Sequence, residues 1–327
     1  MLVISEEEIK KAIAMEDVMK AVEVALVEYS EGRTVTPVRT AINTSQTEGT
    51  ALFMPSLVES GGGLGVKFVS VFPKNKDKTI YGVMVLSDVE TGEPLALMES
   101  SSLTVLRTGA ASGLATKYLA KENALVLGVI GTGSQARGLI EAILHVRPSI
   151  REIRLYNRTK SKASVLAEEL KARYQDQCPE IFIADEADEA VCGADIIVTA
   201  TTSERPVFSA ESVALGVHIN GVGSFKPSMQ EIPTEIITSA TKVVVEAKEA
   251  ALEECGDLIN PIEAGLFQAD DLYGELGEII NGMRSGRESN EEITVFKSVG
   301  LAAMDVVVAK AIYDKALELG IGQKVKL

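Results

Sequence analysis

Ala124-Leu-Val-Leu-Gly-Val-Ile-Gly-Thr-Gly-Ser-Gln-Ala136 decides the fold. Residues 125–130 form an apolar run that reads as a buried parallel strand. The run ends in glycines and passes into a helical pattern over 135–146. Gly131, Gly133 and Ala136 have the G-x-G-x-x-G/A spacing of a dinucleotide-binding βαβ unit. The first glycine permits a tight turn. The second lets backbone approach a pyrophosphate, and the small third residue lets helix pack on strand. The helix N-terminus offers unpaired N–H groups and a partial positive charge to the phosphates. Such spacing is weak alone. Here it follows a strand, opens a helix and precedes a second strand at 152–156, which a glycine-rich packing turn would leave unexplained.

The end of that second strand selects the nucleotide. An NAD site usually carries Asp or Glu about 20 residues beyond the glycines, on the ribose hydroxyls. This chain reads Tyr156-Asn157-Arg158-Thr159-Lys160, with no acid and an immediate cation. A guanidinium grips a 2′-phosphate in a bidentate fork, whereas a carboxylate repels it. Cations at a helix start oppose the helix dipole, and a bound anion accounts for them better than solvation does. The pattern therefore favours NADP(H), with NAD(H) as the alternative.

Composition sets the outer limits. A chain of 327 residues suggests about two domains. The formal net charge of −15 repels nucleic acid and anionic membranes, so neither is expected as a partner. An anionic ligand then needs a locally basic pocket. Cys178, Cys192 and Cys255 are widely spaced, odd in number and without a C-x-x-C pair. That fits a reduced, cytoplasmic chain without a disulfide framework or a metal site. The N-terminus is acidic and helical rather than a signal peptide, and no apolar run approaches the ~20 residues of a membrane span. His145 and His218 are isolated and read as structural.

Ser5-Glu-Glu-Glu8 predicts a capping box opening one helix that Gly32 stops. Strands are expected at 35–44, 51–55, 65–72, 81–88 and 94–99, with a turn at 90–94. Ser101 or Ser102 is expected to cap a helix of small residues running to Ala120. Strand–helix alternation follows, with strands near 125–130, 152–156, 181–183, 195–199, 217–221, 242–246 and 293–296, and a long helix at 298–319. The fold class expected is α/β: a Rossmann-type doubly wound parallel sheet plus an α+β substrate and dimerisation domain. The expected boundaries are 1–116 with 303–327 for the substrate domain and 117–302 for the dinucleotide domain.

Three cations stand out in an acidic first domain: Arg39 in Thr36-Pro-Val-Arg-Thr40, Lys67 in Gly65-Val-Lys-Phe-Val-Ser70, and Arg107 in Leu106-Arg-Thr-Gly-Ala110. Arg39 and Lys67 read as strand residues and Arg107 as a helix residue. Each also has a plain reading, as a solvated, snorkelling or structural charge. An amino-acid-like substrate needs a cationic clamp for its carboxylate, and Arg suits that planar geometry.

These pieces together resemble the ornithine cyclodeaminase/mu-crystallin family. The matching segments are Thr36-Pro-Val-Arg39, Gly65-Val-Lys67 with Pro73-Lys-Asn75, Arg107-Thr-Gly-Ala and the glycine turn. Further on come His218-Ile-Asn-Gly-Val-Gly223, Glu254-Cys-Gly-Asp257, Gly274-Glu-Leu-Gly277 and Val295-Phe-Lys-Ser-Val-Gly300. The resemblance covers essentially the whole chain. It implies a homodimer and a substrate pocket lined by Arg39, Lys67 and Arg107, with Arg107 also near the cofactor. It puts Thr79 at the nicotinamide end and Gly133, Ser134 and Gln135 on the pyrophosphate. Asn157, Arg158 and Thr159 fall on the adenosine ribose and its phosphate, and Thr201, Val222 and Ser298 flank the remaining cofactor surface.

Two departures from the cyclodeaminases matter. They carry an Asp where this chain has Ser224, and an acid where it has Asn157. Both point to net reduction, as in the ketimine reductases of the mu-crystallin branch. The expectation is an NADP(H)-dependent oxidoreductase that reduces a cyclic ketimine, of pyrroline- or piperideine-2-carboxylate type, or acts at the α-carbon of a small amino acid. Arg39 and Arg107 would clamp the carboxylate. Lys67, its pKa lowered by burial and like charge, would hold it too or protonate the imine nitrogen, with water as the competing donor. The alternatives are an NAD-dependent, ammonia-releasing ornithine cyclodeaminase, an alanine dehydrogenase, and a nucleotide-regulated small-ligand-binding protein.

Overall fold

A computed structural model of the chain describes residues 1–45, 47–72, 74–75 and 80–326. The chain begins with β1 (Leu2–Ile4), α1 (Glu6–Ala12), α2 (Met15–Ser30), β2 (Thr40–Asn43), β3 (Thr50–Val58), β4 (Gly63–Val71), β5 (Ile80–Ser87), β6 (Pro94–Glu99) and α3 (Ser100–Leu119). It continues with β7 (Val126–Ile130), α4 (Ser134–Val146), β8 (Glu152–Tyr156), α5 (Lys160–Tyr174), β9 (Glu180–Ile183), α6 (Ala187–Val191), β10 (Ile196–Thr199) and β11 (His218–Gly221). Then come α7 (Thr234–Ser239), β12 (Lys242–Val245), α8 (Lys248–Glu254), α9 (Gly256–Glu263), β13 (Gly274–Glu275), α10 (Leu276–Ile280), β14 (Thr294–Lys297), α11 (Ala302–Leu319) and β15 (Gln323–Lys324).

Two compact units result: Met1–Arg107 with Leu301–Leu327, and Thr108–Gly300. The first division falls inside α3 rather than after residue 116. At Gly109 and Gly113 α3 comes close to α4: a Cβ at Gly109 would lie 2.3 Å from the carbonyl oxygen of Gly138, and one at Gly113 2.8 Å from Ala142 Cβ.

The first unit is a seven-stranded sheet in the order β15-β1-β6-β5-β4-β3-β2, with antiparallel pairing from β2 to β6 and β1 parallel to β6. Helix α11 packs on β3, β4 and β5 and against α2. Met54, Met84 and Val306 are buried in that layer. At Gly63 the approach is close: a Cβ there would lie 2.9 Å from Val306 Cγ2.

Four local expectations are corrected. The strand expected at 35–44 starts only at Thr40, because Pro37 has no N–H for a ladder; Val35 merely bridges to Leu57. Arg39 therefore stands just before β2 rather than within a strand. The N-terminal helix is two helices, since Ile13 and Ala14 are extended and Ile13 turns into the core. The Ser5–Glu8 capping box is formed, with Ser5 N–H donating to Glu8 at 2.8 Å. Helix α3 begins at Ser100 and is capped by Glu99, which accepts the N–H groups of Ser101 (2.8 Å) and Ser102 (2.9 Å). Helix α11 begins at Ala302 rather than 298, after Gly300 turns the chain with φ +95°.

The second unit is an eight-stranded sheet, order β13-β12-β14-β11-β10-β7-β8-β9, every pair parallel. Alternation along β7 sends Leu127 and Val129 into one core with Leu139, Ile143 and Leu166, and Ile130 into the other with Ile197, Ile219 and Ile236. Both faces are thus covered, as a parallel sheet requires. From β7 the chain goes to β8 on one side and returns to β10 on the other. That is the topological switch point where doubly wound folds bind ligands. Among the described residues no helix is long and apolar enough to cross a membrane.

Candidate active site

In the second unit, sequence-distant residues meet at one end of the sheet. Gly131 follows β7, Asn157 follows β8, Thr201 lies just beyond β10, Val222 follows β11 and Ser298 follows β14. These five strands are consecutive neighbours, β8-β7-β10-β11-β14, and all are parallel, so every one of these residues lies beyond a carboxyl end. Register and strand order accomplish this; no single motif does.

The glycine turn has the geometry a diphosphate needs. Gly131 has φ +95°, and a Cβ there would stand 2.5 Å from the carbonyl oxygen of Ala200. That position can only be glycine. Gly133 is different: its φ is −75°, and a Cβ would meet nothing within 4 Å. The protein itself leaves that space open, which suits a pyrophosphate over the N-terminus of α4. Two buried polar atoms beside the turn, Thr132 Oγ1 and Gln135 Oε1, have no hydrogen-bond partner among the described residues. Gly133 and Ser134 are exposed and Gln135 is half-buried. The residues present therefore fit a dinucleotide.

Asn157 ties the turn to the next strand. Its Oδ1 accepts the N–H of Thr132 at 3.1 Å, and its Nδ2 donates to the carbonyl of Thr159 at 3.0 Å. Thr159 is the N-cap of α5. Lys160 is paired with Asp185, whereas Arg158 is exposed and, among the described residues, has no carboxylate partner.

In the first unit, Lys67 lies in β4, the strand covered by α11, and is 1% exposed. Its ladder partners are Met54 and Met84. Lys67 Nζ sits 2.7 Å from Asp305 Oδ2 on α11 and 3.5 Å from Thr104 Oγ1 on α3. Arg107, near-buried on α3, donates Nε to Asp305 Oδ1 at 3.1 Å. One wholly buried carboxylate thus holds two cations. Burial pushes Lys67 down to about 8; Arg107 and Arg39 push the same way, and Asp305 opposes them. Arg39 is half-buried and close enough for its charge to be felt at Lys67.

Sequence reasoning missed Asp305. The available signal was an acid set among Ala302, Met304, Val306 and Val307, a placement that demands a buried partner. Thr79, expected at the nicotinamide end, and Pro73 lie outside the described residues. His218 is fully buried against Thr294, 3.0 Å away, and burial pushes its pKa down to about 3, so it stays neutral. His145 is exposed in the last turn of α4.

The parallel sheet and its glycine cradle define a dinucleotide-binding protein of the Rossmann class. The model of the ornithine cyclodeaminase/mu-crystallin family matches residues 1–320, and the chain belongs to that family. It is 52% identical over 329 residues to a Delta(1)-pyrroline-2-carboxylate reductase of Bacillus cereus, covering 100% of both chains. The structure of the Thermococcus litoralis Delta(1)-pyrroline-2-carboxylate reductase with NADH and L-proline is similar with TM-score 0.94 and 40% identity, covering 99% of this chain and 100% of that one. An archaeal alanine dehydrogenase dimer with bound NAD is similar with TM-score 0.91 and 37% identity, over 100% of this chain and 99% of that one.

The open space at Gly133 yields a clean test. Gly133→Val should leave the protein folded, at a cost of about 0.5–2 kcal/mol for a β-branched residue at the N-cap of α4, and should abolish dinucleotide binding in a fluorescence titration. Wild-type affinity in the folded variant would place the nucleotide elsewhere. Asp305→Asn should cost about 3–5 kcal/mol in urea unfolding, because it leaves two buried cations without their carboxylate. A loss below about 1 kcal/mol, the scale of an exposed pair, would contradict this reading of the ionic contact.

Proposed function

We propose that the chain reduces a cyclic ketimine of the pyrroline- or piperideine-2-carboxylate type to the cyclic amino acid, with NADP(H) as the preferred dinucleotide. The observation that carries this is the pairing of Lys67 and Arg107 on one buried carboxylate, beside Arg39, in a chain whose other unit has a dinucleotide cradle. Two cations on one acid leave an uncompensated positive charge. A substrate carboxylate completes that site. The similarity to a reductase whose structure holds NADH and L-proline, the saturated ring acid, supports the same substrate class here.

A reduced nicotinamide, when bound, supplies the hydride that the imine carbon gains. Arg39 and Arg107 clamp the carboxylate; with Arg107 Nε on Asp305, its terminal nitrogens serve the substrate. Lys67 Nζ gives its proton to the imine nitrogen and is reprotonated from solvent. At a pKa of about 8 it is charged at neutral pH and still releases its proton readily. Reduction should accordingly slow as pH rises through about 8.

Arg158 supports NADP(H), because a guanidinium without a carboxylate partner among the described residues, just beyond β8, suits a 2′-phosphate, and no acid is present at that strand end. NAD(H) remains the alternative, as both solved relatives described above hold NAD(H). The cyclodeaminase reading loses its acid at Ser224, which is buried with its hydroxyl donating to the carbonyl of Met229 at 2.7 Å. Alanine dehydrogenation uses the same clamp and is the second reading. A mere binding protein would have no use for a buried lysine of lowered pKa. A homodimer is supported by the sheet face opposite α11, where Ile42 (55% exposed), Phe53 (37%) and Tyr81 (47%) project together.

Arg158→Ala should weaken NADPH binding by about 1.5–3 kcal/mol, the scale of a charge-assisted hydrogen bond, and leave NADH nearly unchanged. Tighter NADH than NADPH binding in the wild type would overturn the cofactor preference. Lys67→Ala should lower turnover of a cyclic imine at least ~100-fold, in the range of general acid–base catalysis, with cofactor affinity intact. Lys67→Arg should not restore it, since a guanidinium does not give up its proton. Arg39→Ala should chiefly raise the substrate KM. Near-normal turnover in Lys67→Ala would remove the proposed proton transfer.

A further inference from the structure

The loops beyond the carboxyl ends of β10, β11, β12 and β14 are joined by buried carboxylates that the mechanism above does not use. Glu231, in the segment before α7, is 0% exposed. Its Oε1 accepts the N–H of Thr201 at 2.6 Å. Its Oε2 accepts the N–H groups of Gly223 (2.6 Å) and Ser224 (3.2 Å) and the hydroxyl of Thr199 (3.1 Å). Four donors from two neighbouring strand ends thus converge on one side chain. The loops are pressed together around it: a Cβ at Gly223 would lie 2.1 Å from the carbonyl of Thr201 and 2.5 Å from Glu231 Oε1.

The contact extends to the next strands. The N–H groups of Glu231 and Ile232 donate to Asp257 Oδ1 at 2.7 and 2.9 Å. Asp257 Oδ2 pairs at 2.9 Å with Lys297, the last residue of β14, and Lys297 is 4.0 Å from Glu231. Glu246, just after β12, accepts the Ser298 hydroxyl at 3.0 Å and the N–H groups of Val299 (3.0 Å) and Gly300. Burial works against the charge on Lys297, but Asp257, Cys255 and Glu231 outweigh it and hold the ammonium charged.

We propose that Glu231 is a positioning residue for the dinucleotide: its carboxylate, anchored through Asp257 and Lys297, sets the spacing of the Thr201 and Val222–Ser224 loops and thereby the affinity for the cofactor. This rests on the reading of the second unit as the dinucleotide site. Both carboxylate oxygens face backbone N–H groups. An amide of the same shape must therefore turn its NH2 against a donor in either orientation. A buried hydrogen-bonded carboxylate is retained against its desolvation cost only where several donors meet it, as here.

The test compares Glu231→Gln and Thr199→Val with the wild type in NADPH and NADH titrations, steady-state kinetics and thermal unfolding. For Glu231→Gln we expect the dinucleotide Kd and KM to rise at least about tenfold, on the scale of a lost charge-assisted hydrogen bond. The KM for the imino acid should stay at its wild-type value. Thr199→Val removes one donor and keeps the charge, so the dinucleotide KM should rise about threefold, less than for Glu231→Gln because three donors still hold the carboxylate. A purely structural role would lower the melting temperature and the active fraction and leave both KM values unchanged, and that result would overturn the proposal. Should Glu231→Gln not fold, Thr199→Val decides, and an unchanged dinucleotide KM there overturns it. A wild-type protein that binds neither dinucleotide would instead overturn the cofactor reading, and this proposal with it.

Discussion

Asp305 holds Lys67 and Arg107 together at a buried site, and the reaction proposed for the first unit depends on that contact. Taking each ion out of water costs several kcal/mol, and one carboxylate compensates only one of two cations. The surplus charge makes the site receptive to an anion in a chain of net charge −15. The same contact explains why the lysine is not an ordinary one. Desolvation and the two arginines lower its pKa, while Asp305 keeps it from falling so far that the ammonium is lost at neutral pH. The carboxylate sits on α11, which closes over β4, and the close approach at Gly63 brings that helix down onto the sheet.

The second unit meets a different constraint. A parallel sheet places the ends of consecutive strands side by side, and the loops there must keep a fixed shape while their backbone faces a ligand. Glycine relieves the steric conflict at Gly131 and Gly223, where a side chain would strike backbone. Buried carboxylates relieve the hydrogen-bonding conflict, because Glu231, Asp257 and Glu246 take up N–H groups that the strand ends cannot pair. The two devices act together, since the loops that glycine lets approach are the ones the carboxylates join.

How much of this was legible in the sequence follows from the range of each interaction. The Rossmann unit is written locally: an apolar run, a glycine turn and a helix lie within Ala124–Ala136, and β7 and β8 stand within a residue of their expected ends. The buried lysine was legible as a cation in an apolar strand, and its lowered pKa followed from the neighbours the resemblance supplied. Asp305 was not legible as its partner, because α11 reads as an ordinary amphipathic helix and only tertiary packing brings it to β4. Glu231 was missed for the same reason: its donors come from strand ends that are adjacent in the sheet but not in the chain. The errors in local structure have local causes. Pro37 delays β2, Gly300 delays α11, and the core draws Ile13 inward to split the first helix.

On the proposed function, a cyclic imino acid held by Lys67, Arg39 and Arg107 is reduced without release of ammonia. The most direct measurement is a mass balance on the purified protein with Delta(1)-pyrroline-2-carboxylate and NADPH, with L-ornithine and NAD as the parallel reaction. Proline and oxidised dinucleotide should form in equal amounts from the imine, and no ammonia from ornithine. Proline and ammonia from ornithine without net consumption of dinucleotide, together with no reduction of the imine, would contradict it.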